Sequence, residues 1–154
     1  MKLNLGSGFD LKEGYVNIDI RDIPGIKRMD VRELDYPDCS ANEIYASDII
    51  EHFSKAEQEP LLKEWYRVLS PNGKLFIRTI DFDRVYINLY LKNQLELFFK
   101  HLYGGQEYEY NYHKWCYTKA TMKQILEKIG FKNIEITDGP KETDLVNFLA
   151  IGFK

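Results

Sequence analysis

Short apolar runs alternate with amphipathic stretches along these 154 residues. Strand-like runs fall at residues 2–5, 15–20, 27–30, 43–47, 74–79, 132–137 and 145–153. Three helical patterns lie between them. Ser54 with Glu57 three residues on makes a capping signature, and Leu61, Leu62, Trp65, Val68 and Leu69 then recur at helical spacing. Pro71, Asn72 and Gly73 turn that helix into the next strand. A second helical region runs from residue 82 to about 101, and a third from 118 to 129, stopped by Gly130. Strands that come first alone, then alternate with helices, predict a single α/β domain over residues 1–154 with a mainly parallel seven-stranded sheet. The last two runs flank a Gly139-Pro140 turn, so the final strand is expected to be antiparallel.

One spacing is awkward. Only residues 6–14 separate the first two strands, whereas a parallel crossover ordinarily takes about a dozen residues or more. Either the crossover is pared to a loop or the two strands form a hairpin. The ligand chemistry of that loop favours the pared crossover.

Composition narrows the function classes. Hydrophobic residues at 44% and charged residues at 29% are ordinary for a globular chain. A net charge of -3 without a basic stripe disfavours nucleic acid and anionic membranes as partners. Cys39 and Cys116 stand alone, outside metal-binding spacing, as in a reduced cytoplasmic protein, and no cluster suggests a metal. No apolar run approaches the ~20 residues of a membrane span. The chain enters a strand at Lys2, leaving no room for a signal peptide.

The loop Leu5, Gly6, Ser7, Gly8 brings backbone amides to the end of the first strand. A dinucleotide fingerprint would need a third glycine at position 11, where Leu11 stands, and a helix for which there is no room. The phosphate-binding P-loop pattern is absent. S-adenosylmethionine carries no phosphate and asks for other things. Its amino-acid end needs exposed amides, its ribose an acceptor such as Asp19, and its adenine an acceptor such as Asp30. Its sulfonium tolerates a carboxylate near Ser47 and Asp48. Each residue also has a plain structural reading: a tight turn, a strand end, a capped loop.

The blocks LNLGSG, GYVNIDI, MDVRELDYPDCSANEIYASDIIEHF, LKEWYRVLSPNGKLFIRT and ILEKIGFKNIEI together resemble the class I S-adenosylmethionine-dependent methyltransferases, and most a small, predicted branch of them. The resemblance implies a Rossmann-like three-layer fold with S-adenosylmethionine as cofactor. It places Leu5, Gly6, Ser7 and Gly8 in the cofactor loop, Asp19 and Ile20 at the ribose, and Asp30 and Val31 at the adenine. Ser47 and Asp48 then border the sulfonium and the acceptor. Phe9, where many members carry a small residue, and the nearly absent first helix depart from the pattern.

Methyl transfer chiefly requires alignment, with a base only where the acceptor must lose a proton. Asp48, His52 and His113 are the candidates, and His113 is favoured. His52, just ahead of the Ser54 helix, reads first as a structural histidine. Residues 101–118, HLYGGQEYEYNYHKWCYT, alternate aromatic and polar positions. They form either an edge strand or a lid over a small-molecule or carbohydrate-like acceptor, with Tyr110, Tyr112 and Trp115 as contacts. The expected activity is methyl transfer to oxygen or nitrogen of that acceptor. The alternative is a binding module of the same fold without catalysis.

Overall fold

A computed structural model describes residues 1–139 and 146–154. Among them are seven strands in one sheet: β1 (Lys2–Leu5), β2 (Val16–Asp19), β3 (Lys27–Arg28), β4 (Ala41–Ser47), β5 (Leu69–Ile80), β6 (Lys132–Asp138) and β7 (Asn147–Phe153). Their spatial order is β3-β2-β1-β4-β5-β7-β6. Only β7 runs against its neighbours, pairing antiparallel with β5 and β6. The Gly139-Pro140 turn expected before it reaches, at Pro140, outside the described residues.

β1 and β2 are parallel, with Leu3 opposite Val16 and Leu5 opposite Ile18. The crossover is the pared one, and two strand asparagines make it possible. Buried Asn4 donates through Nδ2 to the Asp10 carbonyl at 2.9 Å and to Asn17 Oδ1 at 2.8 Å. Asn17 Oδ1 also accepts from the Lys12 amide at 2.9 Å. Side-chain amides thus satisfy the backbone groups that a crossover helix would satisfy internally.

Helix α1 (Lys55–Val68) starts as its capping signature predicts: the Glu57 carboxylate accepts from the Ser54 amide at 2.8 Å and hydroxyl at 2.7 Å. It buries Leu61, Leu62, Trp65 and Val68 against the sheet. Residues 71–73 are absorbed into β5, whose register with β4 shifts there. The second helical region is not continuous. It divides into α2 (Phe82–Val85), a π-helical turn (Tyr86–Tyr90) and α3 (Leu95–Tyr103), because Asn93 turns left-handed at φ +58°. Left-handed backbone is a conformation asparagine tolerates and a helix does not. Of its rings only Phe98 is buried; the exposed Tyr86 stacks on Tyr90, and the exposed Tyr90 and Phe99 meet Phe98 at tilted and edge-on angles. Helix α4 (Lys119–Ile129) ends on Gly130 at φ +117°.

The chain leaves β1 toward β2 and β3, then returns to lay β4 on the other side of β1. The carboxyl ends of β1 and β4 therefore bound a crevice, the usual ligand position in open α/β sheets.

Candidate functional site

A cavity of about 190 Å³ opens at that crevice. One side is built from strand ends: Gly6 after β1, Asp19 to Arg21 at the end of β2, Asp30 to Arg32 beyond β3, and Asp48 and Ile49 after β4. His52, Phe53 and Glu57 close the floor toward α1, and Tyr108, Glu109, Tyr110, Tyr112 and Lys114 form the opposite wall.

Gly6 stands at φ +63°, and a β-carbon there would come within 2.6–2.9 Å of the Ile49 side chain. The glycine is required twice, by its left-handed backbone and by the approach of Ile49. Gly8, also left-handed at φ +51°, turns its amide onto Asp19 Oδ2 at 2.8 Å.

Both predicted carboxylates are clasped by an arginine two residues on. Asp19 Oδ1 accepts from the Arg21 amide at 3.0 Å and Nε at 2.9 Å, and Oδ2 accepts from Nη2 at 3.2 Å. Burial pushes the Asp19 carboxyl up, but the Arg21 and Gly8 hydrogen bonds outweigh it and hold it below the usual carboxylate range. Asp30 repeats the pattern: Arg32 donates from its amide at 2.9 Å, from Nε at 3.0 Å and from Nη2 at 2.6 Å, and these bonds lower the Asp30 pKa. The loop after Asp30 is fixed from below, where Trp65 Nε1 donates to the Val31 carbonyl at 2.9 Å.

At the β4 end, Asp48 adopts φ +51°, accepts from the Ser47 hydroxyl at 3.0 Å and pairs with Arg78. Beneath it Glu51 is wholly buried. Thr79 Oγ1 donates to its Oε2 at 2.9 Å. Burial, together with the charge of Asp48, pushes its pKa up to about 8, so the carboxyl is protonated at neutral pH. Nothing in the sequence marks Glu51, since a lone glutamate carries no sign of burial.

Residues 104–116 are not a strand; only an isolated bridge joins Tyr117 to Asp81. The segment is moored to the turn after β4, with the Lys114 amide donating to the Glu51 carbonyl at 2.8 Å and the Trp115 amide at 3.2 Å. His52 Nδ1–H donates to the Tyr112 carbonyl at 3.1 Å, and His113 Nδ1–H to the His101 carbonyl at 2.7 Å. Each imidazole thus keeps its Nε2 lone pair. Burial, with His113 nearby, lowers the His52 pKa to about 4, so its ring is neutral.

The cavity therefore gathers Gly6, Asp19, Ile20, Asp30, Val31, Asp48, His52, Tyr110 and Tyr112. Leu5, Ser7, Gly8 and Ser47 adjoin those residues without lining it. His113 stands behind His52, their rings edge to face at 4.9 Å. Trp115 turns outward beneath the Lys55 ammonium, 5.4 Å away.

Residues 8–77 match a family described as a methyltransferase domain. A curated relative, demethylmenaquinone methyltransferase of Lactobacillus johnsonii, is 32% identical over 119 residues, covering 73% of this chain and 48% of the relative. The chain thus spans about half that protein's length. Among solved structures, a SAM-dependent methyltransferase from Archaeoglobus fulgidus superposes with a TM-score of 0.70 at 17% identity, over 99% of this chain and 85% of its own. A Burkholderia thailandensis 1,6-didemethyltoxoflavin-N1-methyltransferase, solved with bound 1,6-didemethyltoxoflavin and S-adenosylhomocysteine, gives 0.70 at 13%, over 99% and 70%. Matched segment and sheet order agree: residues 8–77 match a methyltransferase domain, and the chain as a whole has the fold of S-adenosylmethionine-dependent methyltransferases of known structure.

Proposed function

We propose that the protein transfers a methyl group from S-adenosylmethionine to oxygen or nitrogen of a small or sugar-like acceptor. The observation that carries this reading is the convergence of Gly6, Asp19 and Asp30 on the same cavity as His52, Tyr110 and Tyr112. The donor set fits the cofactor: a carboxylate at the end of β2 for two ribose hydroxyls, and a second beyond β3 for an adenine amino group. The backbone of residues 5–8 receives the amino-acid end. When bound, S-adenosylmethionine supplies an electrophilic methyl group on a sulfonium, so the protein's task is alignment.

At the acceptor end, Ser47 and Asp48 border the transferring group. His52, with Nδ1–H committed to the Tyr112 carbonyl, presents Nε2 to take the proton an acceptor hydroxyl must lose. A ring held neutral to about pH 4 accepts it only as the bond to the methyl group forms and the acceptor turns acidic. His113 braces that ring. Tyr110 and Tyr112, each about half exposed, supply flat amphipathic faces for a sugar or a ring.

Calorimetry with S-adenosylhomocysteine tests the cofactor half. Wild-type protein binds, and Asp19→Ala binds on the order of 10- to 150-fold more weakly, as expected for losing hydrogen bonds to a charged group. Equal affinity in a folded Asp19→Ala protein rejects the assignment.

A further inference from the structure

Asp19 and Asp30 carry the same Asp-x-Arg clasp but differ in how much of the carboxylate is left. The Asp30 side chain is 34% exposed and can accept one more N–H beside Arg32; that of Asp19 is 7% exposed. A carboxylate offers about four acceptor positions, and four donors already meet Asp19: the Gly8 amide, the Arg21 amide, Arg21 Nε and Arg21 Nη2. The two backbone amides are fixed by the fold. The two guanidinium bonds fall one on each oxygen, side by side, which is how the two hydroxyls of a vicinal diol approach a carboxylate.

From this geometry we infer that Arg21 is a built-in competitor for the ribose diol, and that cofactor binding exchanges its guanidinium for the two hydroxyls. The inference rests on the reading of Asp19 as the ribose acceptor. The displaced side chain has somewhere to go. Its guanidinium already lies near two rings, 5.8 Å from that of Phe9 and 5.3 Å from that of Tyr108, with Nη1 3.4 Å from the Tyr108 hydroxyl. Phe9, 82% exposed, has no packing role of its own, and Tyr108 belongs to the wall over the cavity. Arg21 can therefore leave the carboxylate without leaving the two rings. It thereby links ribose occupancy to the wall segment. Arg21 is a positioning residue in this scheme, setting how strongly the site prefers a nucleoside that carries both hydroxyls.

The test is calorimetry of wild type, Arg21→Ala and Arg21→Lys with S-adenosylhomocysteine and with its 2′,3′-dideoxy analogue. Melting curves establish that each variant is folded. Relieved of the competitor, Arg21→Ala binds S-adenosylhomocysteine about ten-fold more tightly, while the dideoxy analogue binds wild type and variant alike. Arg21→Lys, which keeps the charge but not the fork, falls between, and gives the same reading should Arg21→Ala not fold. Wild-type binding with equal or weaker binding by both variants overturns the inference and leaves the cofactor assignment standing. Equal gains for both ligands also overturn it, since the diol would not be what Arg21 opposes. No binding by any of the three proteins overturns both the inference and the reading beneath it.

Discussion

Replacing Glu51 by Gln changes the pH dependence of stability in a way the structure fixes. The carboxyl is wholly buried, with a pKa near 8 against an ordinary 4.5, so the folded protein holds a proton that the unfolded chain releases above about pH 4.5. Below pH 4.5 both states are protonated and the group costs nothing. Between 4.5 and 8 the unfolded state binds fewer protons, and stability falls by about 1.4 kcal/mol per pH unit. Above 8 the loss levels off. From pH 5 to pH 8 this group alone removes roughly 3–4 kcal/mol. Gln keeps the shape and an oxygen for the Thr79 hydroxyl but has no proton to lose. His52, lowered to about 4, works in the opposite sense, losing stability as pH falls from its ordinary 6.5. That slope is common to both proteins and cancels in their difference. Urea denaturation of wild type and Glu51→Gln at pH 5, 6, 7 and 8 reads the quantity directly. The variant's advantage should grow with each pH step. Two curves running parallel across that range would show that Glu51 is ionised in the folded protein, and would refute the reasoning.

Gly6→Ala should cost about 2–4 kcal/mol by urea denaturation, combining left-handed strain with overpacking against Ile49, and Ile49→Ala should recover part of it. Full stability in Gly6→Ala would mean that the loop tolerates a side chain. Asn17→Ala removes one of the two acceptors of the Asn4 side-chain amide and the acceptor of the Lys12 amide, so a loss of about 1–3 kcal/mol is expected, with faster amide exchange confined to residues 6–15. Unchanged exchange there would separate the crossover from these asparagines.

Much of the scaffold was legible because its causes are local. Ser54 and Glu57 announce α1 within one turn, Gly130 stops α4 by its own conformational freedom, and apolar runs mark the strands. The positions of Asp19 and Asp30 at the carboxyl edge of the sheet were legible because Asp19 ends β2 and Asp30 lies two residues beyond β3. The Asp-x-Arg repeat, DIR at 19–21 and DVR at 30–32, stood in the sequence as well. Its consequence did not, since only the folded loops reveal that each arginine turns back onto its own aspartate. The asparagines that replace a crossover helix went unread for a similar reason: asparagine in a strand looks like a weak point until its partners are known.

What the sequence alone determined, then, is a set of elements and the carboxylates at their ends, all governed by contacts a few residues long. The tertiary structure decided the rest. It placed Glu51 under β4 and β5 where no water reaches it. It brought the Tyr112 carbonyl to His52 across sixty positions of chain, and moored the aromatic wall by the Glu51 carbonyl. It also set His52 on the cavity with His113 behind it. Burial and long-range hydrogen bonds come from how the elements close on one another, and periodicity within one element carries no record of which other element will cover it.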